Sequence, residues 1–521
     1  MAMANSGHRL SVRQQRVVAE LSFDELTAAL HPTFAGDAGV VLTTGLAASP
    51  GAASGVVAVG SQAALDLASA GNTVILVATE TTPADVAAMG LSAGILTARG
   101  GMASHAAVVA RGWGIPAVCD AREIKVGAES FAVGEHRIAN GTPISIDGST
   151  GEVTLGSREV SAAGPDAAPG GAAAPGAGAG PTLPVLPAEI AEVLGWADLV
   201  VGDRFAVLAN ADSAADAATA RSLGARGIGL CRTEHMFLDP DRLGIVQHVI
   251  LKGHDEHLDD LESAQRNDFS EMLEAMDGLG VTIRLLDAPM HEFLAGADPG
   301  EAAEWHEHNP MLGVRGVRLG LLRPELYAAQ VRAIAGAVRD RRSAGGDPDV
   351  EIMVPLVSTA RELTASVSAI RSAWAGTQSG SAPPIGTMIE TPRACMIAGQ
   401  FAPDVEFISF GTNDLTQMVF GFSRDDTATR VIVPYVSDGL LEADPFASLD
   451  PDGVGEMMSG ALGRGRAANP NLRAGMCGEH GGDPASIAFA VHTGLHYVSC
   501  SPYRVPVARL AAAQALLAAS G

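Results

Sequence analysis

The feature that most restricts the fold of this chain is a series of eight short apolar runs in its C-terminal part. The runs are FAVLAN, GIGLCR, TIRLLD, MLGVR, IMVPL, GTMIE, FISFGTND and AGMCGE, and longer helical or loop segments separate them. Near-continuous apolar strands that alternate with helices are typical of a parallel sheet covered on both faces. Eight of them over roughly 330 residues predict an α/β fold with a (β/α)₈ barrel, and a doubly wound open sheet is the alternative.

Polar side chains at the C-terminal ends of the runs favour the barrel, because those ends converge on one mouth where active sites are built. They are Arg232, Arg284, Arg315, Glu390, Asn413, Asp414 and Cys477. The carboxylates Glu390 and Asp414 suit a Mg²⁺ ion, unless each caps a following helix. The arginines, with Arg424 shortly after Asp414, match the geometry of carboxylate and phosphate groups. The mouth is therefore expected to bind an anionic substrate together with Mg²⁺.

Cys477 lies in the glycine-flanked loop GMCGEHGG, and glycines allow a backbone to approach a ligand closely. A thiol at this place could act as an acid, a base or a nucleophile. The alternative is a buried, inert cysteine.

A second candidate site lies in a Gly-rich unit at about residues 40–158. Its apolar runs alternate with turn signals and predict a small mixed β/α domain; they are GVVAVG, TVILVA, GILTA, PAVCD and ISIDG. His105 follows GGMAS, where Ser104 is the predicted N-cap of a helix. A helix start favours a neutral, nucleophilic imidazole and a bound anion. His105 is therefore a candidate nucleophile that could carry a phosphate, and a capping or packing histidine is the alternative.

Composition divides the rest of the chain. Residues 1–39 are polar and include the helical stretch LSFDELTAALHP, and residues 191–521 carry the barrel. Between the two candidate sites, residues 159–190 are rich in Ala, Gly and Pro and predict a linker. The linker is either a passive tether or a swivel that lets one domain visit two places.

Composition also excludes several classes of function. The net charge of −25 disfavours nucleic-acid binding, which needs a basic face. The lysines, Lys125 and Lys252, follow no Gly-rich phosphate loop, so no Walker-type nucleotide site is expected. Five dispersed cysteines without a CxxC pair indicate neither a disulfide scaffold nor structural zinc, and the segments HDEH and HEH are interpreted as solvated rather than metal-binding. Without a signal-like or membrane-spanning segment, the expected location is the cytoplasm.

The candidate residues lie in segments that can be compared with a known family. The segments are LTARGGMASHAAVVAR, GARGIGLCRTEHMF, VTIRLLDAPMHEF, NPMLGVRGVRLG, GTMIETPRA, FISFGTNDLTQMVFGFSRDD, and MCGEHGGDPASIAF followed by YVSCSPYRVPVARLAAAQ. Together they resemble the pyruvate, phosphate dikinase branch of the phosphoenolpyruvate (PEP)-utilising enzymes. The resemblance implies a C-terminal PEP/pyruvate-binding (β/α)₈ barrel preceded by a small β/β/α swivelling phosphohistidine domain. It also implies reversible phosphoryl transfer between PEP, which yields pyruvate, and a histidine.

The resemblance implies a role for each candidate residue. His105 matches the phosphorylated histidine, and Cys477 matches the acid that protonates the enolate. Glu390 and Asp414 match the Mg²⁺ ligands. The residues that match substrate contacts are Arg232, Arg284, Arg315, Thr412, Asn413, Asp414 and Arg424. Relatives dimerise through the barrel, so a homodimer is expected on the same basis.

Departures from the family pattern modify these expectations. The family's dikinases carry an ATP-grasp nucleotide domain ahead of the histidine domain, whereas 30 residues precede HPTF here. A truncated dikinase is therefore expected, with a separate ATP-grasp protein supplying the nucleotide half-reaction. Ala103 replaces the Thr of GGMTSH, a regulatory phosphorylation site in relatives, and Ala78 replaces a frequent Arg. The alternatives are a non-catalytic PEP-sensing or partner-docking subunit and, ranked last, a lyase or mutase.

Overall fold

The N-terminal apolar runs form one mixed sheet in the computed structural model, which describes residues 10–36, 39–82, 85–101, 104–161, 186–237, 240–252, 257–293, 300 and 305–519. The strands of this region are β1 Thr33–Phe34, β2 Val41–Thr44, β3 Leu46–Ser49, β4 Ala52–Val59, β5 Val74–Ala78, β6 Gly94–Thr97, β7 Ala117–Cys119, β8 Ile124–Val126, β9 Ser130–Val133, β10 His136–Ala139, β11 Pro143–Asp147, β12 Glu152–Leu155 and β13 Val160–Ser161. The main sheet has eight strands in the order β2-β12-β11-β4-β5-β6-β7-β3. All five apolar runs predicted for this region are strands of that sheet.

Both faces of this sheet are buried. Ile75 and Val77 of β5 pack in one hydrophobic cluster, while Val74 and Leu76 pack in another. Because successive side chains of a strand point to opposite faces, an apolar run without alternation needs cover on both sides.

The described helices of the N-terminal region are α1 Val12–Glu20, α2 Phe23–Leu30, α3 Ser61–Ser69, α4 Val86–Gly90, α5 His105–Trp113 and α6 Ala188–Val201. Three of these six described helices, α1, α2 and α5, begin at a serine N-cap. Ser22 and Glu25 form a reciprocal capping box at the start of α2, which is the predicted N-terminal helix. This helix ends before His31, since the residue that precedes a proline disfavours helical backbone.

Eight parallel strands close into a barrel, as predicted. The strands are β14 Ala206–Asn210, β15 Gly227–Arg232, β16 Gly280–Arg284, β17 Asp349–Val354, β18 Ile385–Ile389, β19 Phe407–Phe410, β20 Arg473–Met476 and β21 Tyr497–Cys500. The helices of this part are α7 Ala214–Ser222, α8 Pro240–Lys252, α9 Leu258–Ala275, α10 Met290–Phe293, α11 Val317–Leu322, α12 Pro324–Ser343, α13 Ala360–Ala375, α14 Pro392–Phe401, α15 Thr412–Phe420, α16 Arg424–Thr427, α17 Val433–Ser437, α18 Glu456–Ala468, α19 Pro484–Thr493 and α20 Val505–Ala518. Pairing of β14 with β21 closes the ring.

One of the eight predicted strands was wrong. The run MLGVR forms the 3₁₀ turn Pro310–Leu312 and a loop, so Arg315 lies ahead of α11 and not at a strand end. The carboxylate of Glu307 accepts the Val314 N–H at 2.7 Å and so holds this loop in place of strand pairing. The eighth strand is β21, Tyr497–Cys500, which sequence reasoning did not select.

The chain divides into two compact units. One contains Met1–Asp203, Phe422–Ser448 and Pro506–Gly521, and the other contains Arg204–Gly421 and Leu449–Val505. The domain limits predicted from composition stay predictions, since residues 162–185 of the linker and Ala103 lie outside the described residues. Among the helices that the structure describes, none combines the length and hydrophobicity needed to span a bilayer.

Candidate active site

The carboxyl ends of five barrel strands bring most of the predicted site residues to one rim. Arg232 and Arg284 end β15 and β16, while Glu390 and Cys477 directly follow β18 and β20. The first turn of α15, directly after β19, supplies Thr412, Asn413 and Asp414. Below the rim, four apolar side chains pack with Cys477 inside the barrel: Leu230, Met353, Met388 and Phe407. The rim therefore stands on a packed core rather than on an open channel.

Two of the arginines are buried and paired with carboxylates. The side chain of Arg284 is 7% exposed; it contacts Glu234 and lies 3.2 Å from an oxygen of Asp287. Arg315, 4% exposed, donates two 2.8 Å hydrogen bonds to Asp287 and lies 3.4 Å from Asp414. Burial opposes the charge on Asp287, but Arg315 and Arg284 hold the pKa of this carboxyl below its ordinary value. A chain of alternating charges thus links the ends of β15 and β16 to the first turn of α15.

Sequence reasoning missed the acidic half of this chain of charges. Glu234 follows Arg232 by two residues, and Asp287 follows Arg284 by three. Their position just past a strand that ends in a selected arginine is the signal that could have found them.

Glu390 carries a buried carboxylate oxygen that lacks a hydrogen-bond partner among the described residues. Its Oε1 accepts the Leu356 N–H at 2.6 Å, and its Oε2 fills the space that a Cβ on Gly411 would occupy. Leu356 has a φ of +55°, a left-handed conformation that is costly for a branched residue. Burial, followed by the nearby Asp414 and Asp287, raises the pKa of Glu390 to about 8.

These features of Glu390 fit a cation, because a buried carboxylate needs a compensating charge or hydrogen bond. No cluster of three or more His, Cys, Asp or Glu side chains arranged for a metal occurs within the described part of the chain. A cation held by Glu390 and Asp414 would therefore keep other ligands, and Mg²⁺ commonly takes one or two carboxylates plus water or substrate oxygens.

The loop that carries Cys477 is tied to the first turn of α15. Thr412 is fully buried, and its Oγ1 lies 2.7 Å from Nδ1 of His480. Asn413 Oδ1 accepts the N–H of Glu479 at 3.0 Å. The side chains of Thr412 and Asn413, both predicted substrate contacts, therefore join two loops of the protein. Burial raises the pKa of Cys477 to about 11, so its thiol is protonated at neutral pH.

Arg232 differs from the two paired arginines. Its backbone N–H donates to Asp212 Oδ1 at 2.7 Å, but the shortest ion pair of its guanidinium, to Asp212 Oδ2, measures 3.8 Å. The same Oδ2 lies 2.7 Å from Nδ1 of His235, whose side chain is 46% exposed. Sequence reasoning did not select Asp212 or His235.

His105 is the first residue of α5, as predicted. Ser104 is the N-cap, and its Oγ accepts the Ala107 N–H at 3.4 Å. Gly100 has a φ of +121°, and a Cβ there would lie 2.9 Å from Ser104 Oγ, so the turn before the helix requires glycine. The first turn of a helix leaves backbone N–H groups without an intrahelical partner. The side chain of His105 is outside the described part of the structure.

Arg424 does not belong to the compact unit that carries the barrel rim. Arg424 begins α16 and belongs to the same unit as His105. Within that unit, a Cβ on Gly101 would lie 3.5 Å from the Cβ of Ala428, which follows α16. In the HDEH segment, residues 254–256 lie outside the described residues, and His257 contacts Asp260.

Comparison with protein families decides the family of the chain. The PEP-binding domain of PEP-utilising enzymes matches residues 192–517, and the mobile domain of PEP-utilising enzymes matches residues 71–151. The chain belongs to the PEP-utilising enzymes. The family resemblance carried by the sequence motifs is therefore confirmed.

Curated relatives of this PEP-utilising enzyme are dikinases. It is 46% identical to the chloroplastic pyruvate, phosphate dikinase 1 of Arabidopsis thaliana over 94% of the chain and 52% of the relative. It is 44% identical to the chloroplastic pyruvate, phosphate dikinase of Flaveria pringlei over 99% of the chain and 54% of the relative. The chain thus spans about half the length of the curated relatives it matches.

Similarity to solved structures is weaker. A HpcH/Hpal aldolase/citrate lyase family protein from Burkholderia cenocepacia matches 59% of the chain and 92% of that structure, at 15% identity and a TM-score of 0.33. A likeness at this level carries no argument about function.

Proposed function

We propose that this chain transfers the phosphoryl group of PEP reversibly to His105 and releases pyruvate. The observation that carries the proposal is the barrel rim. Arginines, the protonated thiol of Cys477 and a carboxylate oxygen of Glu390 without a hydrogen-bond partner among the described residues occur there together. The match of residues 71–151 to a mobile domain, with His105 at a helix start, supports the second half of the reaction.

The charges at the rim suit a PEP molecule. The carboxylate and phosphate of PEP are groups that guanidinium forks bind in a bidentate way. The guanidinium of Arg232 lies 3.8 Å from Asp212, beyond hydrogen-bond range. Arg284 and Arg315 would contact the substrate through guanidinium N–H groups, and Asp287 holds both side chains in place. Fixed cations stabilise the charge that spreads over a phosphoryl group during its transfer.

The bonds of the reaction balance with the residues available. The bond between phosphorus and the enol oxygen breaks, and a bond from phosphorus to an imidazole nitrogen of His105 forms. The enolate left behind takes a proton at its methylene carbon from the Cys477 thiol, and the thiolate regains a proton from water. With a pKa of about 11, the thiol is in the form that can donate at neutral pH.

For the metal, we propose that Glu390 and Asp414 hold Mg²⁺. Glu390 Oε2, which has no hydrogen-bond partner in the part of the chain that the structure describes, and the raised pKa of the carboxyl support this choice. When bound, the ion would neutralise charge on the phosphate and on the enolate oxygen.

Other roles are proposed from the family resemblance. Arg424 would contact the transferred phosphate, which its position in the same unit as His105 supports. Thr412 and Asn413 would contact the substrate in addition to His480 and Glu479, which Thr412 Oγ1 and Asn413 Oδ1 already contact. A separate ATP-grasp protein would carry the nucleotide half-reaction, and two copies of the chain would associate through the barrel.

Phosphoryl transfer is tested with Mg²⁺ and PEP that carries an isotopic label in its phosphate. We expect label on the wild-type chain and none on His105→Ala. His136→Ala, which replaces an exposed histidine of the same region, is the matched control and should accept label as the wild type does. An unlabelled wild type, or equal labelling of His105→Ala, would contradict the proposal. Label on the chain without release of pyruvate would contradict the assignment of the carbon chemistry.

A further inference from the structure

We infer that His235 is a further anion-binding residue of the barrel rim and that Asp212 is the residue that positions it. The inference rests on the proposed function, because it assigns to the same site another group that contacts the phosphate or carboxylate of the substrate. It concerns a pair of side chains that the sequence motifs did not single out.

One carboxylate fixes two neighbouring groups at the end of β15. Asp212, in the turn after β14, accepts the N–H of Arg232 with Oδ1 and contacts Nδ1 of His235 with Oδ2, each at 2.7 Å. His235 begins the 3₁₀ turn His235–Phe237, whose residues Met236 and Phe237 are buried. The imidazole is therefore held in place both by the contact of its Nδ1 with Asp212 and by the buried residues of the 3₁₀ turn.

Arg232 and His235 carry solvent-accessible donors for an anion, at 24% and 46% side-chain exposure. Arg284 and Arg315 are already paired with Glu234 and Asp287, respectively. The Arg232 guanidinium lies 3.8 Å from Asp212, which is beyond hydrogen-bond range. Within the described residues, no hydrogen bond is found for Nε2 of His235, and nearly half of this side chain is exposed.

The neighbours of His235 favour its charged form. It faces Asp212 after β14, Glu234 and Arg232 on the β15 side, and Glu292 on α10. Partial removal from water opposes the charge, but Asp212 and Glu234 outweigh Arg232 and raise the pKa of His235 above its ordinary value.

The tautomer makes anion binding depend on this charge. An imidazole whose Nδ1–H is held by a carboxylate presents a lone pair at Nε2 when neutral. Such a lone pair cannot donate to a phosphate or carboxylate oxygen, whereas the imidazolium can. His235 therefore binds an anion below its pKa and loses this ability as the pH rises through it.

The direct test measures PEP binding without turnover. The parent is the full chain with His105→Ala, and isothermal titration calorimetry with PEP and Mg²⁺ gives the dissociation constant. At about pH 6, where the imidazolium prevails, adding His235→Gln should weaken binding about tenfold, as expected for a lost charge-assisted hydrogen bond. At about pH 9 the parent and His235→Gln should bind within about twofold of each other. His492→Gln, an exposed histidine on α19, is the control and should leave the dissociation constant unchanged.

Three comparisons separate charge from structure. His235→Arg keeps a positive charge at every pH, so its affinity relative to that of His235→Gln should be the same at about pH 9 as at about pH 6, because both variants share the titrations of Glu292 and Glu390. Asp212→Asn should move the pH at which the parent loses affinity downward, because it removes the main group that stabilises the imidazolium. Equal binding by the parent and His235→Gln at about pH 6 would overturn this inference alone. No PEP binding by the parent at any pH would overturn the proposed function and, with it, this inference.

Discussion

Replacing Asp287 by asparagine should destabilise the barrel strongly. The Asp287 side chain is fully buried, and its carboxylate neutralises two guanidinium groups. Arg315 makes two 2.8 Å hydrogen bonds to it, and Arg284 lies 3.2 Å away. Asparagine keeps the shape but removes the charge, so two buried cations lose their shared partner.

The expected magnitude follows from burial. Removing one partner of a buried ion pair costs about 3–5 kcal/mol in unfolding free energy. Asp340→Asn is a matched control, since Asp340 also pairs with an arginine in a bidentate way, with both distances to Arg266 at 2.6 Å. That pair is exposed, at 39% for Arg266 and 41% for Asp340. Its loss should cost at most about 1 kcal/mol.

Urea unfolding followed by tryptophan fluorescence and circular dichroism measures both variants. With a denaturant slope near 3 kcal/mol/M, the midpoint of the barrel transition should fall by about 1–1.7 M for Asp287→Asn. Asp340→Asn should shift it by about 0.3 M or less. Equal shifts for the two variants would show that burial does not determine how much each ion pair contributes to the free energy of unfolding, and would refute this prediction.

Three other variants give independent checks. Cys477→Ser should slow pyruvate formation from PEP by about a hundredfold or more while PEP still binds, and a rate close to that of the wild type would exclude Cys477 as the acid. Without metal, Glu390 is protonated in the folded chain and ionised in the unfolded chain between pH 4.5 and about 8, so stability should fall as pH rises through this window. In Glu390→Gln, the urea midpoint should depend less on pH within this window. An unchanged slope of the midpoint against pH would contradict the raised pKa of Glu390. Thr412→Val removes the hydroxyl next to His480 and should cost about 1–3 kcal/mol in the same urea titration, whereas a change near zero would mean that this contact carries no stability.

The sequence alone predicted the barrel because its strands are buried on both faces and therefore appear as continuous apolar runs. The same pattern placed Arg232, Arg284, Glu390 and Cys477 at strand ends, and the ends of parallel strands meet at one rim. The capping residue Ser104 predicted the start of α5 from a short stretch of chain. These features depend on local composition and on the period of the pattern, both of which are visible in one sequence.

Tertiary structure decided the features that depend on residues distant in the chain. The MLGVR run has the composition of a strand, yet Glu307 holds it as a loop and places Arg315 against Asp287. The left-handed backbone of Leu356 is set by its neighbours and by the carboxylate of Glu390. The pairing of each arginine with a carboxylate depends on distances between loops that follow different strands. Local propensity carries no information about such distances, because they arise only when the barrel closes.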